Sequence, residues 1–178
     1  MPPFDLRTHE IPLPPKGGRI EKYLDRFQKF DTPDQLVTFM GTIFTDTMEY
    51  LEKEQKFKFP EIKLTYYYRQ EEYDDLIRRL GKSFEKKPYR RAMVMRTNEG
   101  INVYINVMDH WSDTSVDFLI NLCSSFIEEL VHVIYPIRSE TQIQDIVCTM
   151  LEGFLEVKLP DEVKEARLKN SKEYDESK

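Results

Sequence analysis

Between Phe126 and Glu140 the chain reads Phe-Ile-Glu-Glu-Leu-Val-His-Val-Ile-Tyr-Pro-Ile-Arg-Ser-Glu. Glu128 and His132 stand four residues apart, so on a helix they share one face about a turn from each other. A carboxylate and an imidazole at that spacing can ligate the same metal ion. Glu129 then projects beside such an ion, where a general base must stand to take a proton from water. Pro136 stops the helix after Tyr135, and Glu140, in the first turn of the helix that follows, is placed to supply a third oxygen ligand, leaving a coordination position for water. Gln142, Gln144 and Asp145 lie close enough in sequence to compete for that third position. A plainer account exists for the same residues. Asn121, Ser124, Ser125, Glu128, Glu129 and His132 form the polar side of an amphipathic helix, where an acid four residues before a histidine is a common solvated pair. Glu140 in a first helical turn is likewise favoured by the helix macrodipole alone.

The elements that must position these residues follow from hydrophobic periodicity and caps. Thr32-Pro33-Asp34 supplies an N-cap, a proline suited to the first turn and an early acid, ahead of Leu36, Val37, Met40, Ile43, Phe44, Thr47 and Leu51 at helical spacing. This predicts a long helix ending near Lys56. Ile62 to Tyr68 is rich in β-branched and aromatic residues and predicts a strand, and Glu71 to Leu80 a short helix closed by Gly81. Ala92-Met93-Val94-Met95 and the alternating run Ile101 to Val107 flank Asn98-Glu99-Gly100, which predicts a hairpin. The helix carrying Glu128 and His132 follows, capped by Ser112 or Asp113, with Val116, Leu119, Ile120, Cys123, Ile127, Leu130 and Ile134 as its apolar stripe. Ser139 opens the next helix, with Gln142 placed for a capping box and Ile143, Ile146, Val147, Met150, Leu151, Phe154 and Leu155 buried.

With the Glu-Glu-Leu-Val-His helix and the Ser-Glu-Thr-Gln-Ile opening in this order, the layout from about Thr32 to Leu155 resembles the small zincin peptidases of the gluzincin type. In that family His-Glu-x-x-His supplies two ligands and a base, and a following helix supplies a glutamate. The resemblance implies an α+β fold: a small mixed sheet with a hairpin packed on a long N-terminal helix, then a zincin-like active-site helix and a glutamate helix. Carried over by position, it makes Glu129 the catalytic base, His132 a zinc ligand and Glu140 the third, and implies hydrolysis of a peptide or protein substrate. Glu128 occupies the place of the first histidine and departs from the pattern. Two carboxylates with one imidazole neutralise a divalent ion more fully than two imidazoles do and acidify its water less, so manganese joins zinc as a candidate. A scaffold that has lost the metal and serves only to bind is the other consequence of the departure.

The 178 residues suit one core. A proline-rich extended arm is expected over residues 1–19, a single domain over 20–159, and a charged C-terminal helix or fraying tail over 160–178. No apolar run approaches the ~20 residues of a membrane span, and Met1 to Glu10 lacks the pattern of a secretion signal. The two cysteines, Cys123 and Cys148, fall in apolar helical patterns and read as core side chains in a reducing cytoplasm. The mixture of Glu, Lys, Arg and Tyr is of the kind that suits a thermophile. The formal net charge of −6 argues against general nucleic-acid affinity. It conceals a cationic stretch of eight basic residues (Arg78, Arg79, Lys82, Lys86, Lys87, Arg90, Arg91 and Arg96) against a single acid, Glu85. With Phe84 and Tyr89 among them, these residues predict contact with RNA, the ribosome or an acidic protein, or else a solvated loop. His110 beside Trp111 is read as packing or surface. Tyr66, Tyr67 and Tyr68 are read as strand packing, with an oxyanion donor as the alternative.

Overall fold

A computed structural model of the chain describes residues 17–27, 32–67, 69–79, 92–97, 100–106, 116–135 and 138–177. Among them run α1 (Arg19–Phe27), α2 (Pro33–Glu54), β1 (Ile62–Tyr67), α3 (Gln70–Arg79), β2 (Ala92–Thr97), β3 (Gly100–Asn106), α4 (Val116–Ile134), α5 (Glu140–Leu155) and α6 (Asp161–Glu176). Residues 1–16 of the expected arm lie outside the described residues, as do Ser112, Asp113, His110 and Tyr68.

α1 has no counterpart in the periodicity, because its nine residues are too few to set a period: Ile20 and Tyr23 are buried and Leu24 is partly so. Arg19, expected at the end of the arm, is instead its first helical residue. Its guanidinium donates to the Phe154 carbonyl at 2.9 Å and lies 4.5 Å from the centre of the Phe154 ring, tying α1 to α5. α2 opens as its residues predict: Thr32 is extended, Pro33 takes the first helical position, and the Thr32 N–H donates to the Gln35 side chain at 3.4 Å. At its other end Lys56, at φ 61°, turns the chain out of the helix while the Phe57 N–H returns to the Leu51 carbonyl at 3.1 Å. Along the buried stripe, Thr47 satisfies its hydroxyl on the Ile43 carbonyl at 2.7 Å.

The sheet is mixed, in the order β1-β3-β2. β2 and β3 form the antiparallel hairpin, with Val94 opposite Val103 and Thr97 opposite Gly100, and β1 lies parallel to β3 with Leu64 also opposite Val103. The expected α+β class with a small mixed sheet is therefore the one observed. Ile62, Leu64 and Tyr66 of β1 line a groove against Phe44 and Met48 of α2. Gly41 makes the close approach there, since the Tyr66 hydroxyl lies 3.1 Å from where a Cβ would stand. The hairpin reaches the helices through β2, which packs on α4. Val103 and Ile105 of the central strand enter the core, and Tyr104, from the other face, is also buried, which pushes its hydroxyl above the ordinary pKa.

α4 is the centre of the domain and touches α1, α2, α5 and β2. Leu119, Ile120, Leu122, Cys123, Phe126, Ile127, Leu130 and Val131 are all fully buried, so apolar contacts surround the helix rather than lining one side of it. Part of its polar side is covered as well: Asn121, Ser124 and Glu129 are 6%, 3% and 9% exposed. Ser125, Glu128 and His132 on the same side are half-buried, so this side is only partly the solvated face that an amphipathic pattern suggests.

The charged C-terminal segment takes the helical one of its two expected forms. It is helical to Glu176 and buries Val163, Arg167 and Ser171 at a spacing of four, one residue per turn along a single face. Periodicity of apolar residues could not show this, because two of the three are polar. Near the start of α6, Lys164 pairs with Glu152 of α5 at 2.8 Å. Among the described residues no helix is long and apolar enough to cross a membrane.

Candidate metal centre

Glu128 and His132 project from the last two turns of α4, and Glu140 is the first residue of α5. The chain between them turns tightly: the Tyr135 N–H bonds to the Val131 carbonyl at 2.8 Å and the Arg138 N–H to the Tyr135 carbonyl at 3.4 Å. The Arg138 guanidinium covers the Tyr135 ring at 4.0 Å, and Phe57 meets that ring edge-on at 5.9 Å, both rings packing against the core.

This turn brings one ligand atom each from Glu128, His132 and Glu140 within 4.8 Å of one another. His132 Nε2 and Glu140 Oε1 are 3.3 Å apart, with side chains only 20% and 21% exposed. Two donors about 2.1 Å from one ion at tetrahedral angles lie about 3.4 Å from each other, so this pair already has the separation of two ligands. The donor chemistry, two hard carboxylate oxygens and a borderline imidazole, fits zinc or manganese.

Glu129 is not one of the three converging residues, but it is close enough for its charge to act on His132. Burial lowers the His132 pKa, and the hydrogen bond to Glu140 together with the charges of Glu129, Glu140 and Glu128 more than reverses this, so the net shift is upward. A histidine whose folded pKa exceeds its unfolded value stabilises the fold below the unfolded value, near 6.5, and this contribution fades as pH rises through the folded one. In chelator, the stability difference between the native chain and His132→Asn is therefore expected to be largest in mildly acidic buffer and to shrink above neutrality. Unfolding midpoints of both proteins across that range check it, and a difference that grows with pH contradicts it.

The competitors for the third ligand are otherwise engaged. Gln142 accepts from the Ser139 N–H at 3.1 Å in the capping box, Gln144 is buried and accepts from Arg167 Nε at 3.2 Å, and Asp145 is exposed on α5. Tyr66 faces α2 across the groove, and Tyr67 is buried. Both cysteines are free and buried, and burial pushes both thiols above their ordinary pKa, which disfavours the thiolate that ligation or nucleophilic attack requires. Of the cationic stretch, Arg78 is exposed on α3 and pairs with Asp75 at 3.3 Å. Lys82, Lys86, Lys87, Arg90 and Arg91 lie outside the described residues.

Two residues near the centre carry no signal in the apolar pattern. Asp175 of α6 caps the start of α5, and Arg167 joins α6 to Gln144 of α5 and Ser124 of α4. The one clue available in sequence is the spacing Val163, Arg167, Ser171, Asp175, four residues at a time, visible only if polar side chains are allowed to form a buried face.

Fold and centre together define an α+β domain with a Glu-His-Glu cluster held between two adjoining helices. No protein-family model, curated protein or solved structure matches the chain.

Proposed function

We propose that this protein is a zincin-like metallopeptidase relative, in which Glu128, His132 and Glu140 hold zinc or manganese and Glu129 serves as general base. The observation that carries the reading is the convergence of those three ligand atoms from two helices within 4.8 Å. The order of strand, hairpin, active-site helix and glutamate helix supports the ancestry. The ion, when bound, supplies Lewis acidity that polarises a scissile carbonyl and makes water easier to deprotonate. The protein's own part is proton handling and orientation. Glu129 takes the proton from attacking water and delivers it to the departing amine, opening the peptide bond. The buried flanks of α4 hold that carboxylate in one place and limit competing solvent, which favours a fixed geometry for the transfer. Free, buried cysteines agree with a reducing cytoplasm as the site of action.

Elemental analysis of untagged protein, dialysed against zinc or manganese, tests the reading. About one ion per chain is expected, as a single three-ligand centre requires. Near-zero metal in the native chain, unchanged by Glu128→His, sinks it.

A further inference from the structure

The first turn of α5 carries more backbone satisfaction than its capping box can supply. Ser139 Oγ accepts from the Gln142 N–H at 3.3 Å, and the Ile143 N–H reaches the Ser139 carbonyl at 3.0 Å. The box leaves the two earliest amides, those of Glu140 and Thr141, to be satisfied from elsewhere. Both go to one side chain at the far end of the chain. Asp175 Oδ1 accepts from the Glu140 N–H at 3.0 Å, and Oδ2 accepts from the Thr141 N–H at 3.0 Å and the Thr141 hydroxyl at 2.7 Å.

Glu140 is at once the third member of the cluster and the residue whose own amide Asp175 grips. As the first residue of its helix, it has no preceding helical turn to hold its backbone. Resting on the metal-centre reading above, we propose that Asp175 is a positioning residue for that centre and that α6 is the strap which sets the ligand carboxylate against His132. The strap has its own anchorage: Arg167 and Ser171, two turns and one turn before Asp175 on the same face, are buried. An anionic carboxylate on the first amides of a helix is also favoured by the helix dipole, so the grip is held by charge as well as by hydrogen bonds. Without it the first turn frays and Glu140 leaves, and the remaining pair, Glu128 and His132, comes from one helix and offers two ligands.

The test uses the full chain and Co²⁺ as a probe whose visible d–d absorption reports coordination geometry. Asp175→Asn is compared with Lys164→Ala, which removes the Lys164–Glu152 ion pair near the opposite end of α6 without touching Glu140. Asp175→Asn is expected to bind Co²⁺ about 10–100-fold more weakly, the range for groups that hold a ligand in place. Its absorption should be altered, and the Glu140 and Thr141 amides should exchange faster even in chelator. Lys164→Ala is expected to leave all three readouts as in the native chain. Asp175→Ala, which removes both acceptor oxygens, is expected to weaken binding at least as far. Native affinity and absorption in Asp175→Asn, with those two amides deprotected, overturn the inference and leave Asp175 a helix cap only. A native chain that takes up no Co²⁺ overturns the metal-centre reading itself and this inference with it.

Discussion

Glu129→Gln is expected to lower peptide hydrolysis by about 10²–10⁴-fold, the usual loss when a positioned general base is removed, while the ion stays bound. Glu128, His132 and Glu140 present the three converging atoms, and Glu129 is outside that set but electrostatically coupled to His132. Glutamine matches glutamate in volume, so a position only 9% exposed is not opened, while the proton acceptor is lost. Glu128→Gln and His132→Ala are expected to lose hydrolysis and ion together. Turnover of a mixed fluorogenic peptide library, measured beside metal stoichiometry for each variant, separates the roles. Undiminished turnover in Glu129→Gln removes it as the base, and loss of the ion in that variant moves it among the ligands.

The second large effect concerns stability. Arg167→Ala is expected to cost about 3 kcal/mol, the scale for removing hydrogen bonds to a charged group and leaving buried partners unsatisfied. Arg167 is 6% exposed, donates from Nε to Gln144 at 3.2 Å and bonds through its guanidinium to Ser124, so one side chain joins α6, α5 and α4. Truncation strands a buried amide oxygen and a buried hydroxyl and empties the space of the alkyl stem. In a chain of this length a loss of that size lowers the unfolding midpoint by about 6–12 °C. Arg167→Lys is expected to recover only part, because an ammonium cannot reach both partners with the fixed fork of a guanidinium. Thermal unfolding of the two variants beside the native chain measures this. A midpoint in Arg167→Ala close to the native one makes the three-helix junction incidental.

How much of the molecule could be read from its residues depends on the range of the signal. α2, β1, the hairpin, α4 and α5 are local patterns: caps such as Thr32-Pro33 and Ser139 with Gln142, an apolar period near 3.6, and alternation around Val103 and Ile105. These need no knowledge of what the elements pack against. The i, i+4 relation of Glu128 and His132 is equally local, and the stop at Pro136 with the restart at Ser139 brings Glu140 into consideration.

α1 escapes notice because a nine-residue helix held by Ile20, Tyr23 and the Arg19 contacts to Phe154 is stabilised almost wholly by distant parts of the chain. α6 is legible as a charged helix, but its buried face escapes for a different reason. Its inner face is Val163, Arg167, Ser171 and Asp175, and burial of such residues is favourable only where Gln144, Ser124 and the first amides of α5 wait to receive them.

The same distinction governs the centre. By itself the sequence determined which residues share a helical face and which helix would follow, since the peptide backbone imposes the period of 3.6 wherever a helix forms. Only the tertiary structure decided that Asn121, Ser124 and Glu129 on the polar side of α4 are enclosed rather than solvated, that His132 and Glu140 stand 3.3 Å apart, and that Asp175 reaches back to the amide of Glu140. Those are contacts across 35 residues or between separate helices. They are set by how buried surfaces and unsatisfied polar groups are matched over the whole core, which no stretch of local sequence encodes.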